Sequence, residues 1–128
     1  MARILLVEDD PAFAYTLARF LRAEGHEVVS YNGPIEALQE LESDRRIDLL
    51  VTDVRLAEGM PHGFSLGRMA KLRRVNLPIL FITGFPDIAK EDRTPPGPVI
   101  YKPFGLEEFG AAIASELAPA PAAQPPSR

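Results

Sequence analysis

Six polar side chains stand where the apolar runs of this 128-residue chain end. Glu8-Asp9-Asp10 follow Ile4–Val7, Asp53 follows Leu49–Thr52, Thr83 closes Ile79–Thr83, and Lys102 follows Val99–Tyr101. Carboxylates drawn to one rim would repel each other and raise at least one pKa unless a cation neutralised them. Hard carboxylate oxygens with no His or Cys among them favour Mg²⁺, which takes one or two protein carboxylates plus a phosphate oxygen. A hydroxyl from Thr83 and an ammonium from Lys102 would complete an anion site beside that metal. The set suits phosphoryl transfer: metal and lysine offset the phosphoryl charge while a carboxylate accepts it.

For these residues to meet, the chain must deliver every run to one edge. The five runs, Ile4–Val7, Val28–Ser30, Leu49–Thr52, Ile79–Thr83 and Val99–Tyr101, alternate with helical patterns. The first, third and fourth are almost unbroken in apolar character, as in strands covered on both faces. The first helix opens at Asp10-Pro11, with Asp10 as its N-cap, carries Phe13, Leu17, Phe20 and Leu21, and stops at Gly25. A second runs from Pro34 to about Ser43, with Ile35, Leu38 and Leu41 on one side. A third covers Phe64 to Arg74 with Leu66, Met69 and Leu72, and the last buries Leu106, Phe109, Ile113 and Leu117. This alternation predicts an α/β fold, a doubly wound five-stranded parallel sheet of flavodoxin-like order 2-1-3-4-5. Ligands in such sheets bind beyond the carboxyl ends of the strands where the order reverses, here between the first and third strands. Residues 84–98 show a weak helical pattern and then three prolines, so a fourth helix there should be short or absent. The Ala/Pro-rich residues 119–128 read as a disordered or extended tail.

Composition narrows the function classes. Net charge is −4 and no basic cluster exceeds pairs such as Arg45-Arg46, which disfavours direct binding of nucleic acid. No run reaches the ~20 apolar residues of a membrane span, and the N-terminus lacks the pattern of a secretory signal. The absence of cysteine fits a cytoplasmic setting and excludes thiolate metal sites. His26 and His62 have no ligand-like spacing and read as surface residues.

Ile4–Asp10 (ILLVEDD), Asp53 after its apolar strand, Ile82-Thr83-Gly84 and Lys102-Pro103-Phe104 together resemble the response-regulator receiver family. The match spans roughly residues 2–118, giving a receiver domain over 1–118. The resemblance implies that Asp53 is the phosphoacceptor, that Glu8 and Asp9 are the acidic metal pair with Asp9 as direct ligand, and that the Arg55 main-chain carbonyl completes the Mg²⁺ shell beside Asp53. It implies that Thr83 bonds a phosphoryl oxygen, that Lys102 pairs with phosphorylated Asp53, and that the Lys102-Pro103 bond is cis. The implied role is a cytoplasmic switch of a two-component system or phosphorelay. A sensor histidine kinase or histidine phosphotransfer protein would supply the phosphoryl group, and a downstream protein would read it. A receiver-like binding scaffold that is never phosphorylated is the alternative. A turnover phosphatase or phosphotransferase with an aspartyl intermediate is less favoured: its general acid would sit two residues after the nucleophile, and Arg55 cannot donate a proton at neutral pH. The chain departs from the family in a longer loop after Asp53, a shortened stretch before Lys102, and Val99 where an aromatic switch residue is usual.

Overall fold

The computed structural model describes residues 1–55, 63–85 and 94–119. Strands β1 (Arg3–Val7), β2 (Glu27–Tyr31), β3 (Leu49–Asp53), β4 (Ile79–Thr83) and β5 (Val99–Tyr101) form one parallel sheet in the order β2-β1-β3-β4-β5. Four helices occur among the described residues: α1 (Pro11–Ala23), α2 (Pro34–Glu42), α3 (Gly63–Arg73) and α4 (Leu106–Leu117). Successive strand side chains point to opposite faces. Leu5, Val7, Leu50 and Phe81 therefore pack with α2 and α3, whereas Ile4, Leu6, Val51 and Ile82 pack with α1 and α4. With both faces covered, the strands read as continuous apolar runs rather than alternating ones.

The register carries the strand ends to a common edge. Val7 pairs with Thr52, Asp53 with Ile82, and Thr83 with Tyr101, so residues 8, 53, 83 and 102 end adjacent strands. Asp10 caps α1, accepting hydrogen bonds from Ala12 N at 3.0 Å and Phe13 N at 3.3 Å, and Pro11 opens the helix. Gly25 follows α1 at φ +95°, a left-handed conformation that costs glycine little.

The buried sides of the helices differ from the expected stripes. Ile35, Leu72 and Leu106 are exposed. Instead α2 buries Ala37, Glu40 and Leu41, and α3 buries Phe64, Leu66, Gly67 and Ala70. Small residues let these helices approach closely: a Cβ on Gly67 would lie 2.6 Å from the Phe81 ring. Glu40 is buried because Arg3 Nη1 at 3.0 Å, Tyr31 Oη at 3.1 Å and Arg45 Nη1 at 3.2 Å satisfy its carboxylate. His26 is half-buried rather than on the surface, its Nδ1 accepting the Ala2 N–H at 3.1 Å. His62, most of the loop after Asp53, the 86–93 stretch where a short or absent helix is expected, and residues 120–128 of the tail lie outside the described residues.

Candidate functional site

The end of β1 places Glu8 in the interior, where it is 2% exposed, while Asp9 faces solvent. The Glu8 amide donates to Tyr31 O at 3.1 Å, and its carboxylate accepts the Asp10 N–H at 3.0 Å. Asp53, 6% exposed, ends β3 with both carboxylate oxygens engaged. Its Oδ1 accepts the Arg55 N–H at 3.1 Å and its Oδ2 accepts Lys102 Nζ at 3.1 Å. Lys102 also donates to Glu8 Oε1 at 3.2 Å, so one ammonium bridges the ends of β1 and β3. Its backbone is seated by a 2.7 Å hydrogen bond from Lys102 N to Thr83 O, and the Lys102-Pro103 bond is cis as the resemblance implies.

Carboxylate oxygens of Glu8, Asp9 and Asp53 all lie within 4.8 Å of one another. Burial pushes the Glu8 carboxyl up to about 7; the Asp10 amide opposes that rise, and the charge of Asp53 and the Asp9 side chain add to it. Burial pulls Lys102 down, but Asp53 and Glu8 outweigh it, so its pKa stands above the ordinary lysine value. Three hard oxygen donors this close together fit a hard divalent cation.

Glu8, Asp9, Asp53 and Lys102 thus converge. Thr83 is fully buried on the adjacent strand end, and its hydroxyl accepts the Phe85 N–H at 3.1 Å, which leaves its own hydrogen to donate. The exposed Arg55 side chain places its guanidinium carbon 4.4 Å from the centroid of the Phe85 ring. Two further contributors act through contacts made only on folding. Gly63 opens α3 against the strand end, where a Cβ would lie 2.2 Å from Asp53 O and 2.7 Å from Val54 Cα. Phe13 counts as one apolar residue of α1 in the linear pattern, yet Lys102 Nζ sits 4.6 Å from its ring centroid. No linear signal joins residues 13 and 102.

Residues 4–114 match the response regulator receiver domain, and the chain belongs to that family, the switches of two-component signalling. It is 33% identical over 112 residues to the response regulator receiver protein CpdR of Brucella abortus, covering 85% of this chain and 91% of that protein. It is 28% identical over 116 residues to the phyllosphere-induced regulator PhyR of Methylorubrum extorquens, covering 89% of this chain but 43% of PhyR, so it spans less than half of that relative. The non-phosphorylated HemR receiver domain of Leptospira biflexa superposes with a TM-score of 0.79 at 31% identity, covering 94% of this chain and 98% of that one. Among the described residues no helix is long and apolar enough to cross a membrane.

Proposed function

We propose that this chain is a phosphoacceptor switch in which Asp53 takes a phosphoryl group from a phosphohistidine on a histidine kinase or phosphotransfer protein. The reading rests above all on Lys102 Nζ, held between Asp53 Oδ2 and Glu8 Oε1 with Asp9 close by. In the transfer, a carboxylate oxygen of Asp53 forms the new P–O bond as the P–N bond to the donor imidazole breaks, and the electron pair of that bond stays on the imidazole. Glu8, Asp9, Asp53 and the Arg55 carbonyl would hold Mg²⁺, which when bound supplies positive charge against the phosphoryl oxygens. Lys102 neutralises charge at Asp53 without changing protonation state. The Arg55 N–H fixes the rotamer of Asp53 through its 3.1 Å hydrogen bond to Oδ1. The free hydrogen of Thr83 would be donated to a phosphoryl oxygen.

A phosphate adds about −1.5 to −2 charge at neutral pH. On a buried residue whose lysine partner also binds Glu8, that charge would rearrange its neighbours, and a downstream protein would read the change. The chain does not turn over a substrate in this reading; Asp53 is the destination of the group.

The test is to incubate the protein with acetyl phosphate and Mg²⁺ and follow its intact mass. One added phosphoryl group, lost with chelator and absent from Asp53→Asn, is expected. A folded wild-type protein that gains no mass with acetyl phosphate or a phosphorylated kinase would support the binding-scaffold role instead.

A further inference from the structure

We infer that Phe13 is a positioning residue for Lys102, its ring face holding the ammonium where it bridges Asp53 and Glu8; this rests on the reading of Asp53 as phosphoryl acceptor. Lysine carries its charge on a flexible four-carbon stem and restricts its own geometry poorly. Glu8 and Asp53 account for two of the three ammonium donors. Among the described residues the Phe13 ring also lies against the ammonium, with Nζ 4.6 Å from its centroid. A ring face is electron-rich, and its attraction for a cation strengthens as water is removed. The Lys102 side chain is only 29% exposed.

Phe13 is itself fixed from two directions. Its amide donates to the Asp10 cap at 3.3 Å, which ties its backbone to the first turn of α1. Its ring meets Phe104 edge-on, with centroids 5.8 Å apart and planes at 66°. Phe104 in turn stacks on the fully buried Phe109 at 5.6 Å and 24°. Lys102 and Phe104 stand on either side of Pro103, so one short segment supplies both the ammonium and the ring that orients its seat. Phe13 is only half-buried at the edge of the apolar cluster, where leucine would fill much of the space but offer no ring face. When Asp53 gains a phosphoryl group, an ammonium already confined loses less conformational freedom in meeting the new charge.

The experiment compares the wild-type chain, Phe13→Leu and Phe13→Tyr in two measurements. The first is the rate of Asp53 phosphorylation across acetyl phosphate concentrations with saturating Mg²⁺. The second is the NMR shift of the Lys102 ε-methylene protons, which the ring current moves upfield. Phe13→Leu should lower the saturated rate about 3- to 10-fold, leave the half-saturating concentration nearly unchanged, and return the ε-methylene shift toward that of a free lysine. Phe13→Tyr keeps the ring and should stay within about twofold of wild type. A Phe13→Leu protein with reduced melting temperature but wild-type rate and Lys102 shifts would overturn the inference, as would equal losses in both variants. If wild type is not phosphorylated at Asp53, the acceptor reading fails separately, and the Lys102 shifts alone decide whether Phe13 seats the ammonium.

Discussion

Lys102 Nζ lies 3.1 Å from Asp53 Oδ2 and 3.2 Å from Glu8 Oε1, joining groups 49 and 94 residues away in the chain. The contact exists because the parallel register ends β1, β3 and β5 on one rim. It also shapes the electrostatics there: two buried carboxylates share one cation, and Glu8 is raised first by its burial and then by the charge of Asp53.

Replacing the cation with a neutral side chain of similar length isolates its role. Lys102→Met should slow phosphorylation of Asp53 by acetyl phosphate about 100-fold, the scale of losing one preorganised charge partner of a developing anion. Initial rates of mass gain check this. A rate within threefold or so of wild type would show that the ammonium does not serve the transfer.

The Glu8 carboxyl stands at about 7 in the folded protein against an ordinary 4.5, so folding binds a proton there. Its contribution is fully present below the ordinary value and is lost as pH rises through 7. Without metal, thermal stability should fall between pH 5 and 8, by on the order of 3 kcal/mol from this group. Glu8→Gln should flatten that slope. Added Mg²⁺ should raise the melting temperature more at pH 8 than at pH 5, where the proton already occupies the site.

Gly63→Ala forces a Cβ to 2.2 Å from Asp53 O, a backbone atom that no rotamer change can move aside. We expect a loss of about 1–3 kcal/mol in stability, as for overpacking elsewhere, together with slower phosphorylation because the Asp53 backbone must shift. Urea unfolding paired with the labelling rate reads both effects.

Glu40 provides a contrast, since it is a buried carboxylate outside the rim. Burial would raise its pKa, but hydrogen bonds and charge from Arg3, Tyr31 and Arg45 more than offset that and hold it low. Its contribution is therefore present above the usual carboxylate range and lost as pH falls through its depressed value. Glu40→Ala should destabilise the fold by about 1–3 kcal/mol, because the Tyr31 hydroxyl loses its acceptor and Arg3 keeps only Glu27 and the Arg46 carbonyl. Asp53 phosphorylation in the folded fraction should keep its wild-type rate, which a combined melt and labelling assay distinguishes.

Strand order and rim were legible in the sequence because unbroken apolar runs mark doubly covered strands, and residues just past them must reach one edge. Asp10 and Gly25 were legible for a local reason: cap and stop act within a few residues. The helix faces were less so. Ile35, Leu72 and Leu106 fit apolar stripes yet are exposed, while Ala37, Ala70 and the charged Glu40 are inside. Close approach to the sheet favours small side chains, and ion pairing brings in a carboxylate; neither leaves a hydrophobic period. The contacts of Gly63 with the Asp53 backbone and of Phe13 with Lys102 exist only after folding, so no linear pattern carries them.

A phosphoryl group on the Asp53 carboxylate would be an acyl phosphate. Borohydride reduces such a group to an alcohol, turning phosphorylated aspartate into homoserine, which peptide sequencing locates. After acetyl phosphate and Mg²⁺ treatment, homoserine should appear at position 53 and nowhere else. Homoserine at another aspartate, or none in a protein that binds Mg²⁺ and remains folded, would contradict the assignment.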